Sequence, residues 1–150
     1  EFWRADVLNP TKNSAYRIVA SPTIVGNLII APTRNNPMVA MRPGGSGDVA
    51  NSHVVWRFAQ GPDVPTPVSD GTLLYVVRDN GVVYALDVST GATVYGPQRL
   101  PSGTYSASPI LADGKVYVTT EEEGITTVFR AGPKFEILAS NSALPNGFVR

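Results

Sequence analysis

Short apolar runs separated by turn residues dominate the chain. Leu73 to Val77 is a five-residue run of aliphatic and aromatic side chains, and Val82 to Asp87 follows after Arg78-Asp79-Asn80-Gly81. Runs this short, rich in β-branched residues and bounded by Gly, Asn and Asp, predict strands rather than helices. Asn80-Gly81 predicts a tight hairpin whose two central residues both take positive φ. Ser89-Thr90-Gly91 turns the chain again, and Ala92 to Tyr95 begins another strand. With the residues ahead of Asp70-Gly71, this unit holds four antiparallel strands. No segment carries the 3.6-residue periodicity of an amphipathic helix, and prolines interrupt the chain throughout.

The unit recurs. Ser21-Pro22, Thr66-Pro67 and Ser108-Pro109 each precede two or three residues, a Gly-containing turn and an alternating strand. The three prolines stand 45 and 42 residues apart. A period of about 40–50 residues with several strands per unit predicts propeller blades. The first unit, about 15–60, pairs Leu28 to Thr33 with Met38 to Arg42 across Asn35-Asn36-Pro37. A Gly-rich loop from Pro43 to Ser52 then leads to Val54 to Phe58. The middle unit covers about 61–103. The third, about 104–142, pairs Lys115 to Thr120 with Ile125 to Arg130, and Phe135 to Leu138 forms its last strand. Phe2-Trp3-Arg4 reads as the last strand of an earlier blade and Ala139 to Gly147 as a connector to a later one. The expected fold is all-β: about twelve strands in three four-stranded antiparallel blades over residues 1–150, their inner strands following the Ser/Thr-Pro marks. Open faces and strand edges at the two ends predict self-association, for instance into a six-blade ring about a two-fold axis.

Composition removes several chemistries. Twelve Lys and Arg balance twelve Asp and Glu, which gives no electrostatic footing for nucleic acid or an anionic membrane. Cysteine is absent, so disulfides, thiolate nucleophiles and Cys-ligated zinc are excluded within these residues. No run approaches the length of a membrane span, so no membrane insertion is expected.

Candidate chemistry is sparse. His53 is the single histidine and suits a turn better than a zinc site, which needs four N, S or O ligands. Glu121-Glu122-Glu123 is an acidic hairpin that could contribute oxygens to Ca²⁺. Asp79-Asn80-Gly81 resembles part of a calcium loop but lacks the alternating acids and the distal Glu. Gly44-Gly45-Ser46-Gly47 lacks the Lys-Ser/Thr of a phosphate loop. Ser102, Ser106 and Ser108 have no base in sequence reach and no nucleophile elbow. The acids gather at turns, at Asp70, Asp79, Asp113 and Glu121 to Glu123, while the strands read as channel-lining carry Leu, Ile, Val, Thr and Tyr.

Ala85-x-Asp87-x-x-x-Gly91-x-x-x-Tyr95 resembles the tryptophan-docking repeat of quinoprotein (PQQ-like) β-propellers, with Tyr95 at the Trp position. The first unit keeps Ala40 and Trp56 but has Arg42 in place of the Asp. The third keeps Gly132 and the apolar strand near Leu138. Arg42 to Asp48 followed by His53-Val54-Val55-Trp56 is similar to the cofactor-free, BamB-like bacterial branch of this family. The resemblance implies that Ala85, Asp87, Gly91, Tyr95 and Trp56 are structural. Gly91 would permit a tight turn, Asp87 would accept turn amides, and Trp56 or Tyr95 would pack on a neighbouring blade. It further implies a non-catalytic binding or scaffold domain for protein, peptide or glycan, periplasmic or extracellular, without quinone or metal. Two alternatives stay open. One is a piece of a quinone-dependent alcohol or sugar dehydrogenase using PQQ and calcium. The other is a structural propeller appended to an enzyme or membrane anchor outside these residues.

Overall fold

Apolar runs become strands because each finds its hydrogen-bond partner a few residues away. A computed structural model describes residues 2–33 and 37–142. Fourteen strands and no helix occur among them. Twelve strands form three four-stranded antiparallel sheets, one per repeat. The first sheet has β2 (Thr23–Val25), β3 (Leu28–Ala31), β4 (Met38–Met41) and β6 (Val54–Phe58). The second has β7 (Val68–Ser69), β8 (Leu73–Val77), β9 (Val82–Asp87) and β10 (Thr93–Arg99). The third has β11 (Ile110–Ala112), β12 (Lys115–Thr119), β13 (Ile125–Arg130) and β14 (Ile137–Ser142). Strand order within each sheet follows the chain, as in the blades of a β-propeller.

The blades stack face to face. Val25, Ile30, Met38, Ala40 and Trp56 of the first blade pack against Leu74, Val76 and Leu86 of the second. The alternate residues of the same strands, Tyr75, Val77, Val83 and Ala85, meet Val116, Val118 and Phe129 of the third. β8 is therefore buried at every position, because both its faces are covered and side chains alternate between them. That explains its continuous apolar run.

The turns follow backbone chemistry closely. Asp113 and Gly114 both have positive φ, 49° and 65°, in the two-residue connection between Ala112 and Lys115, which pair directly; this is the hairpin geometry that matches strand twist. The Asn80-Gly81 turn differs from expectation. Gly81 has φ +74° but Asn80 is not among the residues with positive φ. The Gly81 amide donates to the Arg78 carbonyl and the Arg78 amide to the Val82 carbonyl. The result is a type I turn followed by a left-handed glycine rather than a two-residue primed turn.

Two further differences appear. The Gly-rich loop contains β5 (Gly47–Asp48), which pairs in parallel with β1 (Trp3–Arg4). Among the described residues the N-terminal strand thus pairs with the loop of the first blade. The reason is local: the insertion is long enough to swing across and present its backbone, with the Gly47 amide donating to the Phe2 carbonyl and the Val49 amide to the Arg4 carbonyl. The last strand of the third blade begins at Ile137 and runs to Ser142, so residues 139–142 are strand and not connector. Ladder pairing with β13 outweighs the weak strand propensity of Ser and Asn at this mostly exposed position. Asn35-Asn36 and residues 143–147 of the expected connector lie outside the described residues.

Candidate functional site

The residues singled out by the repeat fall at the joints between blades. Ala85 is fully buried and lies in register between Tyr75 of β8 and Tyr95 of β10. At the end of β9, the Asp87 carboxylate accepts from the Ser89 hydroxyl at 2.6 Å, the Thr90 hydroxyl at 2.8 Å and the Thr90 amide at 2.9 Å. These bonds hold its carboxyl below the usual range. They fix a turn that leaves Gly91 at φ +72°. Trp56 of the preceding blade lies against that glycine: a Cβ on Gly91 would sit 2.6 Å from Trp56 Cδ2. The indole Nε1 donates to the Val88 carbonyl at 2.8 Å. One aromatic ring thus buries its area and satisfies the turn of the next blade.

Tyr95 occupies the corresponding place on β10, with a different outcome. Its ring packs 5.8 Å from Phe135, and its hydroxyl is buried without a partner among the described residues. Burial, then the charge of Asp70, push its pKa up. Gly132, the turn glycine of the third blade, is bound instead by Tyr75. The Tyr75 hydroxyl donates to Asp70 Oδ2 at 2.7 Å and accepts from the Gly132 amide at 2.7 Å. Burial and the bond to Asp70 raise the Tyr75 pKa. Burial also pushes Asp70 up, but bonds from the Leu73 amide, the Tyr75 hydroxyl and the Thr72 amide outweigh it and hold Asp70 below its ordinary value. Sequence reasoning did not find this bridge, because its two ends are 57 residues apart and Tyr75 sits inside an apolar run.

A second link runs through the Ser/Thr-Pro marks. The Ser21 amide donates to the Thr66 hydroxyl at 3.0 Å, and the Thr66 amide donates to the Ser108 hydroxyl at 2.9 Å. The entry amides of the first and second blades are therefore each held by the hydroxyl of the following blade. The threefold recurrence of Ser or Thr before Pro was the visible signal for this ladder.

The remaining candidates are occupied by the fold. Glu121 accepts from the Ser106 hydroxyl at 2.6 Å and Glu122 from the Thr104 amide at 3.0 Å, so the acidic hairpin braces the loop between β10 and β11. The bonds from Thr104 keep Glu122 below the usual carboxyl range. His53 Nδ1 lies 2.8 Å from the adjacent Ser52 hydroxyl, and its ring packs where a Cβ on Gly45 would fall. Asn80 Oδ1 accepts from the Val82 amide at 3.3 Å. Asp113 pairs with Lys115 at 2.6 Å. Among the described residues no three of His, Asp and Glu converge as a metal-ligand set.

Open polar surface lies on the face formed by the loop after β8, the loop after β10 and the hairpin after β12. A groove of about 590 Å³ is lined by residues including Asp79, Asn80, Arg99 and Ser102. Beside it, a cavity of about 250 Å³ is lined by residues including Ser102, Thr120, Glu122 and Glu123. Ser102 and Gly103 are common to both.

Solved structures share this arrangement. A europium-containing methanol dehydrogenase is 14% identical with a TM-score of 0.63, over 85% of this chain and 25% of that one. BamB from Moraxella catarrhalis is 18% identical with a TM-score of 0.62, over 84% of this chain and 40% of that one. The computationally designed Ika4 protein is 11% identical with a TM-score of 0.69, over 97% of this chain and 81% of that one. The chain thus spans well under half the length of the two natural relatives, and likeness at these identities establishes the β-propeller fold alone. No curated protein matches in sequence. A family model described as outer membrane protein assembly factor BamB matches residues 1–95 and, in a second placement, residues 47–131. With the repeat, the blade geometry and this match agreeing, the chain belongs to the BamB-like family of PQQ-like propeller repeats.

Proposed function

We propose that this chain is a non-catalytic binding and scaffold segment of a propeller, working in the bacterial periplasm or at the cell surface, and that it takes a protein or peptide partner on the loop face. The observation that carries the reading is the pairing of an open polar groove beside Ser102 with carboxylates already committed to the fold. Glu121, Glu122 and Asp70 each hold loop or turn donors, which favours a rigid recognition surface over a set of groups free to move protons. Asp79, Asn80, Arg99 and Ser102 offer donors and acceptors of both polarities, suited to a peptide main chain or a polar side-chain cluster; a glycan would compete for the same groups. Membership of a family described as an outer membrane protein assembly factor supports protein partners in the envelope. We further propose that no quinone is bound here.

A photo-crosslinking residue at Asn80 or Ser102 tests the reading in the full-length protein in its host. Adducts to a defined envelope protein are expected from these sites, lost in R99E, and not from a probe at Ser89 on the opposite turn. Dye-linked alcohol oxidation after loading with calcium and quinone should stay at background. Turnover that disappears in D79N would overturn the proposal.

A further inference from the structure

Three steps among the described residues join an acid or its amide to glycine: Asp70-Gly71, Asn80-Gly81 and Asp113-Gly114. At such a step the glycine nitrogen can attack the side-chain carbonyl carbon of the residue before it, because glycine has no Cβ to obstruct the five-membered ring that forms. The attack needs an uncharged carbonyl, since an ionised carboxylate repels a nucleophile and carries no leaving group. Asp70 is withdrawn from this chemistry. Its Oδ1 accepts from the Thr72 and Leu73 amides at 2.9 and 2.8 Å, and its Oδ2 from the Tyr75 hydroxyl at 2.7 Å. Against the upward push of burial, these bonds keep the carboxyl ionised to below its ordinary value. The bond from Lys115 at 2.6 Å does the same for Asp113.

Asn80 is a neutral amide, exposed in the turn after β8. Its Oδ1 accepts from the Val82 amide at 3.3 Å, a donor whose bond strengthens as negative charge gathers on that oxygen. Its side-chain nitrogen, the leaving group, makes no hydrogen bond among the described residues. The Gly81 amide donates to the Arg78 carbonyl at 2.9 Å, so the nucleophile is released only when the turn opens. The turn therefore slows the step without removing the electrophile, as ionisation does at the other two.

We propose that Asn80 is a site of spontaneous deamidation, the one of the three steps that the fold leaves reactive. The Gly81 nitrogen bonds to Asn80 Cγ, and the proton it gives up ends on Nδ2. The Cγ–Nδ2 bond breaks and the side-chain nitrogen leaves as ammonia. Water then opens the cyclic imide. Opening at the side-chain carbonyl gives aspartate, and opening at the main-chain carbonyl gives isoaspartate, whose backbone runs through Cβ. Nothing is oxidised or reduced. Either product places a new carboxylate beside Asp79 on the groove that both residues line. Isoaspartate also adds one carbon to a turn bonded at the Asp79 carbonyl by the Tyr105 amide and at the Gly81 carbonyl by the Leu100 amide. The loop face thus carries a one-way chemical mark of its age. This inference is independent of the binding role proposed for that face.

Incubation of the full-length protein for several weeks at mildly alkaline pH, followed by tryptic digestion and mass spectrometry, tests it. The fragment Asp79–Arg99 contains a single asparagine. It is expected to gain one mass unit and to become a substrate for isoaspartyl methylation. That gain should be at least tenfold faster than isoaspartate formation in the fragments that hold Asp70 and Asp113. N80Q, in which ring closure would need a six-membered imide, should abolish it. A fragment that keeps its mass overturns the proposal. So does isoaspartate that arises as fast at Asp70 or Asp113, or a gain that survives in N80Q.

Discussion

The joint between the first and second blades and the joint between the second and third solve one problem with different atoms. Each must cover an apolar sheet face and satisfy the polar turn at the outer end of β9 or β13. In the first joint Trp56 does both, lying on Gly91 and donating to Val88. In the second the tasks are divided. Tyr95 and Phe135 fill space beside Phe129, while Tyr75 reaches from an inner position to the Gly132 amide. A docking residue is therefore defined by what the turn requires, an apolar lid and a hydrogen-bond partner, and one tryptophan or two tyrosines can supply it. The cost of the divided solution is visible in the buried Tyr95 hydroxyl, which has no hydrogen-bond partner among the described residues.

Breaking the first joint should have the largest effect. W56A removes a buried ring and is expected to cost about 3–5 kcal/mol, read as a lower urea midpoint. A loss under about 1 kcal/mol would show that the ring is not what holds the two blades together. Next comes the contrast between turn glycines. G91A forces a Cβ into the Trp56 ring at φ +72° and should cost about 1–3 kcal/mol. G132A also has a positive φ, 142°, but meets nothing within 4 Å, so it should cost less than G91A. Equal costs would mean that backbone strain alone, and not the ring, sets the demand for glycine.

Y75F takes an acceptor from the Gly132 amide and a donor from Asp70, and should cost about 1–3 kcal/mol. The same bridge predicts a pH dependence. Asp70 is held below its ordinary value of 3.8, so its contribution is complete above that value and is lost as pH falls through the lower native one. Tyr75 is raised above its ordinary 10.0, so its contribution is complete below pH 10 and is lost as pH rises through the higher native value. Chemical denaturation of D70N should show a shallower loss of stability on acidification than the parent. A parallel loss would remove Asp70 from the bridge. The smallest effect belongs to Y95F, which deletes an unpartnered hydroxyl and should change stability by less than about 0.5 kcal/mol or raise it slightly.

Strand positions were legible because alternation and turn residues are local properties. Leu73–Val77, Ile125–Arg130 and Val54–Phe58 occur with the bounds their side chains suggest. The β1–β5 pairing was not legible, since nothing in Gly47-Asp48 marks a strand; its backbone is recruited by Trp3–Arg4 from more than forty residues away. The outer strand through Ser140 and Asn141 was missed for a related reason, as polar residues suffice where neither face is covered. At the joints, Trp56 and Gly91 could be named from the repeat. Their contact, and the Tyr75 bridge that replaces it one blade later, depend on how sheets lean on each other, which spacing along the chain does not encode.

Trp56 also has an optical consequence. The chain holds two tryptophans: Trp56 is buried with its indole N–H bonded to a carbonyl, and Trp3 is only half-buried on β1. Their emission should separate, a blue component from Trp56 that iodide barely quenches and a redder one from Trp3 that it quenches readily. W3F leaves a single fluorophore seated across one joint, so the opening of the first two blades can be timed by its red shift without attaching any label.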